Sequence, residues 1–246
     1  MTGPGAPSGL RRFVKRPAAG PAGLPPAIQQ VLAARSATRG AGETGGLDGT
    51  ERCEMCREVL GERHGHVVDL EERSLACTCR ACYLLFTHEG AAGGRYRAVP
   101  EHVYHDPGRT LTDTDWGELQ IPVAMAFFFY NSALGRVAAG YPSPAGATEC
   151  ELDLAAWDRL AAAHPLLGTL APDVEAILVN RAEGRSEVFL IPVDECYALV
   201  GELRMKWQGF DGGAEARAAL TAFLDDLRRR AVPLPARDMR PELREH

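Results

Sequence analysis

The chain has 246 residues, a hydrophobic share of 46% and a formal net charge of −6, enough apolar material for one large domain or a main domain plus a small one. The acidic balance argues against nucleic acid as a partner, because phosphate binding needs a basic face. No segment reaches the roughly 18 to 20 consecutive apolar residues that a membrane span needs, so none is expected.

Residues 1–50 are rich in Gly, Pro and Ala. Such a segment buries too little apolar surface to offset the entropy of ordering it, and a disordered tail is expected. Within it, Ile28, Val31 and Leu32 have the spacing of a short helical turn over 26–35, and Leu10, Phe13 and Val14 stand among basic residues as a candidate docking peptide. Arg11, Arg12, Lys15 and Arg16 are followed by no apolar stretch, so they do not read as a secretory signal. A cytoplasmic protein is expected.

Five of the seven cysteines fall between Cys53 and Cys82. Clustered CxxC pairs in a cytoplasmic chain point to metal, whereas a disulfide framework is usually spread through a small secreted one. Cys53 and Cys56 form one pair and Cys79 and Cys82 the other, with twenty-two residues between them. Two such turns can bring four thiolates to a tetrahedron, which Zn²⁺ accepts with Zn–S near about 2.3 Å. The gap is slightly longer than the usual range of about 15 to 20 residues, and a strand pair over 66–70 and 73–77, turning at 69–73, fills it. Zinc is the expected occupant, with iron as the alternative, because four sulfurs alone do not exclude it. Cys77 is a surplus thiol in the same segment. With His64 and His66 it is an additional or alternative ligand candidate, for a Cys₃His site or for a second ion.

The expected division is a tail over 1–50, a cysteine-rich metal-binding module over 51–90, an α+β domain over 95–232 and a flexible tail over 233–246. Residues 90–94 read as a linker and 95–116 as irregular. Residues 121–130, with Phe127, Phe128 and Phe129, read as a buried strand, and 137–141 as its return. Tyr141, Pro142, Ser143, Pro144, Gly146 and Glu149 then read as a loop, a candidate for partner recognition because functional residues often sit on loops held by a rigid scaffold. Asp153 reads as the N-cap of a helix with Leu154, Trp157 and Leu160 on one face. Strands at 175–180 and 188–193 form a further hairpin. Two helices follow: Cys196, Leu199, Val200, Leu203 and Trp207 line one face of the first, and Leu220, Phe223, Leu224 and Leu227 one face of the second. Glycines at 209, 212 and 213 separate them. The expected fold class is therefore α+β, a small zinc-ribbon-like module followed by a mixed or antiparallel sheet packed against helices, with the helices on one side.

Ser–His–Asp, HExxH, P-loop and dinucleotide patterns are all missing. Glu175, Arg181 and Asp194 are the best candidates for an acid–base site, and a pocket uniting them is what such an enzyme requires. Cap and rim roles are the plainer expectation for them, and the chain reads as a non-enzyme.

The run Cys53-Glu-Met-Cys56, His64-Gly-His66 and Cys77-Thr-Cys79-Arg-Ala-Cys82, with Leu85-Phe86 after it, resembles an uncharacterised, largely actinobacterial family. So do Ile121-Pro122-Val123, Tyr141-Pro142-Ser143-Pro144-Ala145-Gly146-Ala147-Thr148-Glu149, Pro172-Asp173-Val174-Glu175-Ala176 and Pro192-Val193-Asp194-Glu195-Cys196-Tyr197, in order over about residues 50 to 230. The genes of that family accompany those of aerobic [NiFe] uptake hydrogenases. The cysteine segment also resembles, more weakly, rubredoxin-like hydrogenase accessory proteins. The resemblance implies a metal-binding accessory role in hydrogenase assembly, maturation or protection, with hydrogenase subunits or maturation factors as protein partners. A rubredoxin-like one-electron module and a small-molecule enzyme in the α+β domain are the alternatives. Cys150 departs from the family pattern, which has serine after Glu149, so the resemblance gives that cysteine no role.

Overall fold

The structure, a computed structural model, describes residues 50–107, 111–144, 146–182, 185–209 and 212–234. The expected N-terminal tail over 1–49, with its candidate helical turn and docking peptide, lies outside the described residues, as does the chain beyond 234.

The cysteine segment folds around an antiparallel hairpin, β1 (Gly65–Asp69) and β2 (Ser74–Thr78), close to the expected strand pair. Asp69 makes the turn. Its carboxylate accepts the backbone N–H groups of Glu71 and Glu72 at 3.0 and 3.1 Å, and Arg73 closes the turn with φ 53°. Arg95 grips the same carboxylate with two nitrogens, at 2.6 to 3.1 Å. β3 (Tyr96–Ala98) pairs with the free edge of β1 and gives the order β2-β1-β3. The small sheet thus takes its third strand from a segment the sequence assigns to the larger domain. A short helix, α1 (Arg80–Leu84), folds back over β1, where the Tyr83 hydroxyl donates to the Val99 carbonyl at 2.8 Å.

The larger sheet has seven strands: β4 (Tyr104–His105), β5 (Met125–Asn131), β6 (Arg136–Ser143), β7 (Gly146–Cys150), β8 (Glu175–Ala182), β9 (Arg185–Pro192) and β10 (Val232–Pro233). Their order is β10-β4-β9-β8-β5-β6-β7, antiparallel throughout except between β10 and β4. The three inner strands β9, β8 and β5 alternate two apolar sets. Met125, Phe127, Phe129, Ala176, Leu178, Phe189 and Ile191 share one core with Leu199, Leu203, Leu224 and Leu227 of α4 (Val193–Lys206) and α5 (Gly213–Arg230). Ala126, Phe128, Ile177, Val179, Val188 and Leu190 share the other with Trp116 of α2 (Asp113–Glu118), Trp157 and Leu160 of α3 (Leu154–Ala163), and Leu166 and Leu170.

Helices therefore cover both faces, and the expectation of helices on one side is corrected. The cause is the apolar run around Phe128: a strand with no polar side chain on either face needs two covers. Phe128 is fully buried between Trp116 and Trp157, with ring centroids 6.4 and 4.8 Å away. Local signals place the helix ends. Asp153 accepts the Ala156 N–H at 3.0 Å as expected, and Thr112 with Asp115 forms a capping box that opens α2.

The two sheets meet at the end where β8 begins and β9 ends. Val68 and Val99 of the small unit pack with Val174 and Val193 of the large one.

Two outcomes follow. A Cβ on Gly65 would lie 2.5 Å from Tyr83 Cδ2 and 3.0 Å from Tyr83 Cβ, so Gly65→Ala should cost about 1–3 kcal/mol in denaturant unfolding. The control Gly117→Ala, where nothing lies within 4 Å, should be neutral or stabilising. Burial pushes the Asp69 carboxyl up, but Arg95 and the two turn N–H groups outweigh it and hold it below the ordinary carboxylate range. Its contribution is then present above the ordinary value of about 3.9 and lost as pH falls through the lower folded-state value. Acid unfolding of the wild type should steepen below about pH 4, and Asp69→Asn should flatten that limb while lowering stability at pH 7.

Candidate metal centre

The first cysteine pair sits on a tight turn. An isolated bridge joins Arg52 and Val59, Leu60 N–H donates to the Glu51 carbonyl at 2.9 Å, and Cys53 N–H donates to the Glu58 carbonyl at 2.7 Å. Arg57 closes the turn in the left-handed region, φ 68°, with its N–H on the Cys53 carbonyl at 2.8 Å. That conformation is unusual for a side chain larger than glycine. The second pair comes off the end of β2: Cys79 is the last extended residue before α1, and Cys82 lies within α1. Glu54 ties the two together. Its N–H donates to the Cys77 carbonyl at 2.9 Å, and its carboxylate accepts the Cys77 N–H at 2.8 Å.

These turns bring one sulfur each from Cys53, Cys56, Cys79 and Cys82 within 4.8 Å of one another. Cys56 and Cys79 sulfurs are 3.6 Å apart. A tetrahedron with Zn–S of about 2.3 Å spaces its sulfurs by about 3.8 Å, so the four thiols can hold a metal ion with little movement. All seven cysteines are free thiols, and 3.6 Å is far beyond a disulfide bond of about 2.05 Å. Burial opposes ionisation of Cys53, but the N–H groups of Cys79, Cys56 and Met55 directed at its sulfur prevail and pull its pKa down to about 6. At Cys56 the Glu58 N–H favours the thiolate, but the neighbouring thiols outweigh it and the pKa is raised. Burial and the same crowding push Cys82 up. The Cys53 thiolate thus forms readily while Cys56 and Cys82 await a cation, which is the electrostatic habit of a thiolate metal site.

The additional candidates form a group of their own. His64, His66 and Cys77 each place one donor atom within 4.8 Å of the others. His66 Nδ1 is 2.7 Å from Asp194 Oδ2 in the first turn of α4. The sequence offers Asp194 as a cap, a rim charge or part of an acid–base site, and nothing local signals a contact across 128 positions.

The other sequence candidates separate. Tyr141, Pro142, Ser143, Pro144, Gly146 and Glu149 are not a loop. Tyr141 pairs with Thr148, Pro142 with Ala147 and Ser143 with Gly146, so the segment is the tip of the edge hairpin β6–β7. Pro142 is tolerated because it lies beyond Gly140, the last β6 residue paired to β5. Glu175, Arg181 and Asp194, which an acid–base enzyme would need in one pocket, instead make three separate engagements. Glu175 accepts from Ala171 N–H at 2.8 Å and lies 3.2 Å from His102 Nε2. Arg181, at the opposite end of β8, pairs with Asp113 and lies over the Trp116 ring. Asp194 holds His66. Cys196 is a core residue, as expected, and burial pushes its thiol pKa up, as it does for half-buried Cys150.

Cys53→Ser should remove about one equivalent of bound metal, read by elemental mass spectrometry, and loosen the small sheet while the seven-stranded sheet keeps its far-UV signal. A strong chelator should do the same to the wild type.

No curated protein and no solved structure gives a match to the chain. A family model, described as a family of unknown function (DUF5947), matches residues 52–231. That span takes in the four cysteines, the small sheet, strands β4 to β9 of the large one and helices α1 to α5, and the chain belongs to this family.

Proposed function

We propose that this chain is a metal-binding accessory protein that acts by holding a protein partner, in the assembly, maturation or protection of a [NiFe] hydrogenase. The observation that carries the metal reading is the convergence of Cys53, Cys56, Cys79 and Cys82. Four thiolates fill a tetrahedral ion and leave no position for substrate, so the centre shapes a surface and does no chemistry of its own. Zinc is the ion assigned to it, and a cytoplasmic setting keeps the thiols reduced. The surface around the centre suits a protein partner: Val59, Leu84 and Leu85 are large apolar residues left exposed on this small unit. The hydrogenase setting comes from the family resemblance of the cysteine run and the motifs that follow it. Among the described residues no helix is long and apolar enough to cross a membrane.

One observation favours a second reading. Cys56 is exposed, and a surface sulfur on a Cys₄ iron site is an exit for an electron. The purified protein distinguishes the two. About one zinc and no colour supports the docking module, and iron with thiolate charge-transfer bands supports a rubredoxin-like one-electron carrier. The biological arm is deletion of the gene in its host. Hydrogenase maturation and activity under aerobic growth should fall, and unchanged hydrogenase would sink the accessory role.

A further inference from the structure

We propose that His64, His66 and Cys77 form a second metal site, separate from the four-cysteine centre, for a divalent transition-metal ion of borderline softness such as Zn²⁺. The inference goes beyond the accessory role and shares no ligand with the first site.

The backbone puts the three residues together. His66 and Cys77 are direct cross-strand partners in the β1–β2 hairpin, which sets their Cβ atoms about 4.5–5.5 Å apart on one face. His64 precedes His66 by two residues, and a period of two returns it to that face. The donor atoms of all three converge within 4.8 Å.

The hydrogen bonds then select which nitrogens face inward. His64 Nδ1 is 3.0 Å from the Gly61 carbonyl oxygen. A carbonyl only accepts, so Nδ1 carries the proton and Nε2 presents a lone pair. That Nε2 is buried and has no hydrogen-bond partner. An unmatched buried polar atom destabilises the fold, and a cation removes that cost. His66 Nδ1 donates to Asp194 Oδ2 at 2.7 Å, which leaves its Nε2 as the ligating atom. A backbone carbonyl behind one imidazole and a carboxylate behind the other are how proteins orient metal-binding histidines. The two rings lie 4.9 Å apart at 60°, tilted toward each other and not stacked.

Two imidazoles and one thiolate favour zinc-like ions over magnesium or calcium, which want oxygen. Three protein ligands leave a fourth position for water or an exchangeable group. In this the second site differs from the Cys₄ centre: it can release its ion or bind a further ligand. Asp194 belongs to α4, so the ion would also fasten the small sheet to the larger domain.

The test uses the full chain equilibrated in buffers of set free Zn²⁺, with bound zinc counted by mass spectrometry. The wild type should hold two equivalents. His64→Gln/His66→Gln should hold one, and so should Cys77→Ser, a gentler change should the double variant misfold. Asp194→Asn should fill the second site only at about 10–100-fold higher free zinc, with the first equivalent unmoved. Wild type that saturates at one equivalent, or a second equivalent that survives in both ligand variants, would overturn the second site. A single equivalent in wild type and in all these variants would do so while leaving the Cys₄ reading intact.

Discussion

A strand with apolar side chains on both faces must be covered twice, and its polar groups can stand only at its ends. β8 imposes this on the whole chain. Its backbone pairs with β5 on one side and β9 on the other. Ala176 and Leu178 point into one core and Ile177 and Val179 into the other. Helices α4 and α5 are fixed on one face by that requirement, α2 and α3 on the other. What is polar on β8 is displaced outward: Glu175 sits at one end, and Asn180 and Arg181 at the other. A site combining these residues would have to cross the strand's length, roughly 20 Å for six residues.

The same constraint decides where the small sheet can dock. The end of the large sheet where β8 starts and β9 stops is closed by Val174 and Val193, with the Val193 N–H on the Val174 carbonyl at 2.9 Å. This apolar corner receives Val68 and Val99. Once Val68 faces the corner, the period of two turns His66 toward it as well, and Asp194 is the next residue after Val193. The His66–Asp194 contact is thus a by-product of packing two valines together. The four-cysteine turns lie at the other end of the β1–β2 hairpin from its Asp69 turn, where Cys79 leaves β2.

Much of this was written in the sequence, and the exceptions have physical reasons. Metal-ligand spacing is a local property, so Cys53, Cys56, Cys79 and Cys82 were readable at once, as were the hairpin between them and the heptad-like faces of α4 and α5. The helix with Trp157 was readable too, but its place as a second layer over Phe128 was not. An unbroken apolar run gives no period, and so does not say that two covers are needed. The hairpin tip at Tyr141–Pro142–Ser143 reads as a loop because proline is rare in strands, and its tolerance depends on where β5 happens to end. β3 was lost because three residues, Tyr96–Ala98, carry too little pattern to mark a strand. The convergence of His64, His66 and Cys77 was half visible, since alternation gives the face, while the partner that orients His66 lies in another sheet's territory.

The seven cysteines sit at graded depths, and this makes the protein its own stopwatch. Cys56 meets solvent directly, whereas Cys196 is walled in by the core under α4. A thiol-alkylating reagent would therefore reach Cys56 of the metal-free chain without any opening, and Cys196 only when α4 lifts from the sheet. The order in which the sulfurs acquire the label separates breathing of the small sheet from unfolding of the large one, a distinction that a single melting curve merges.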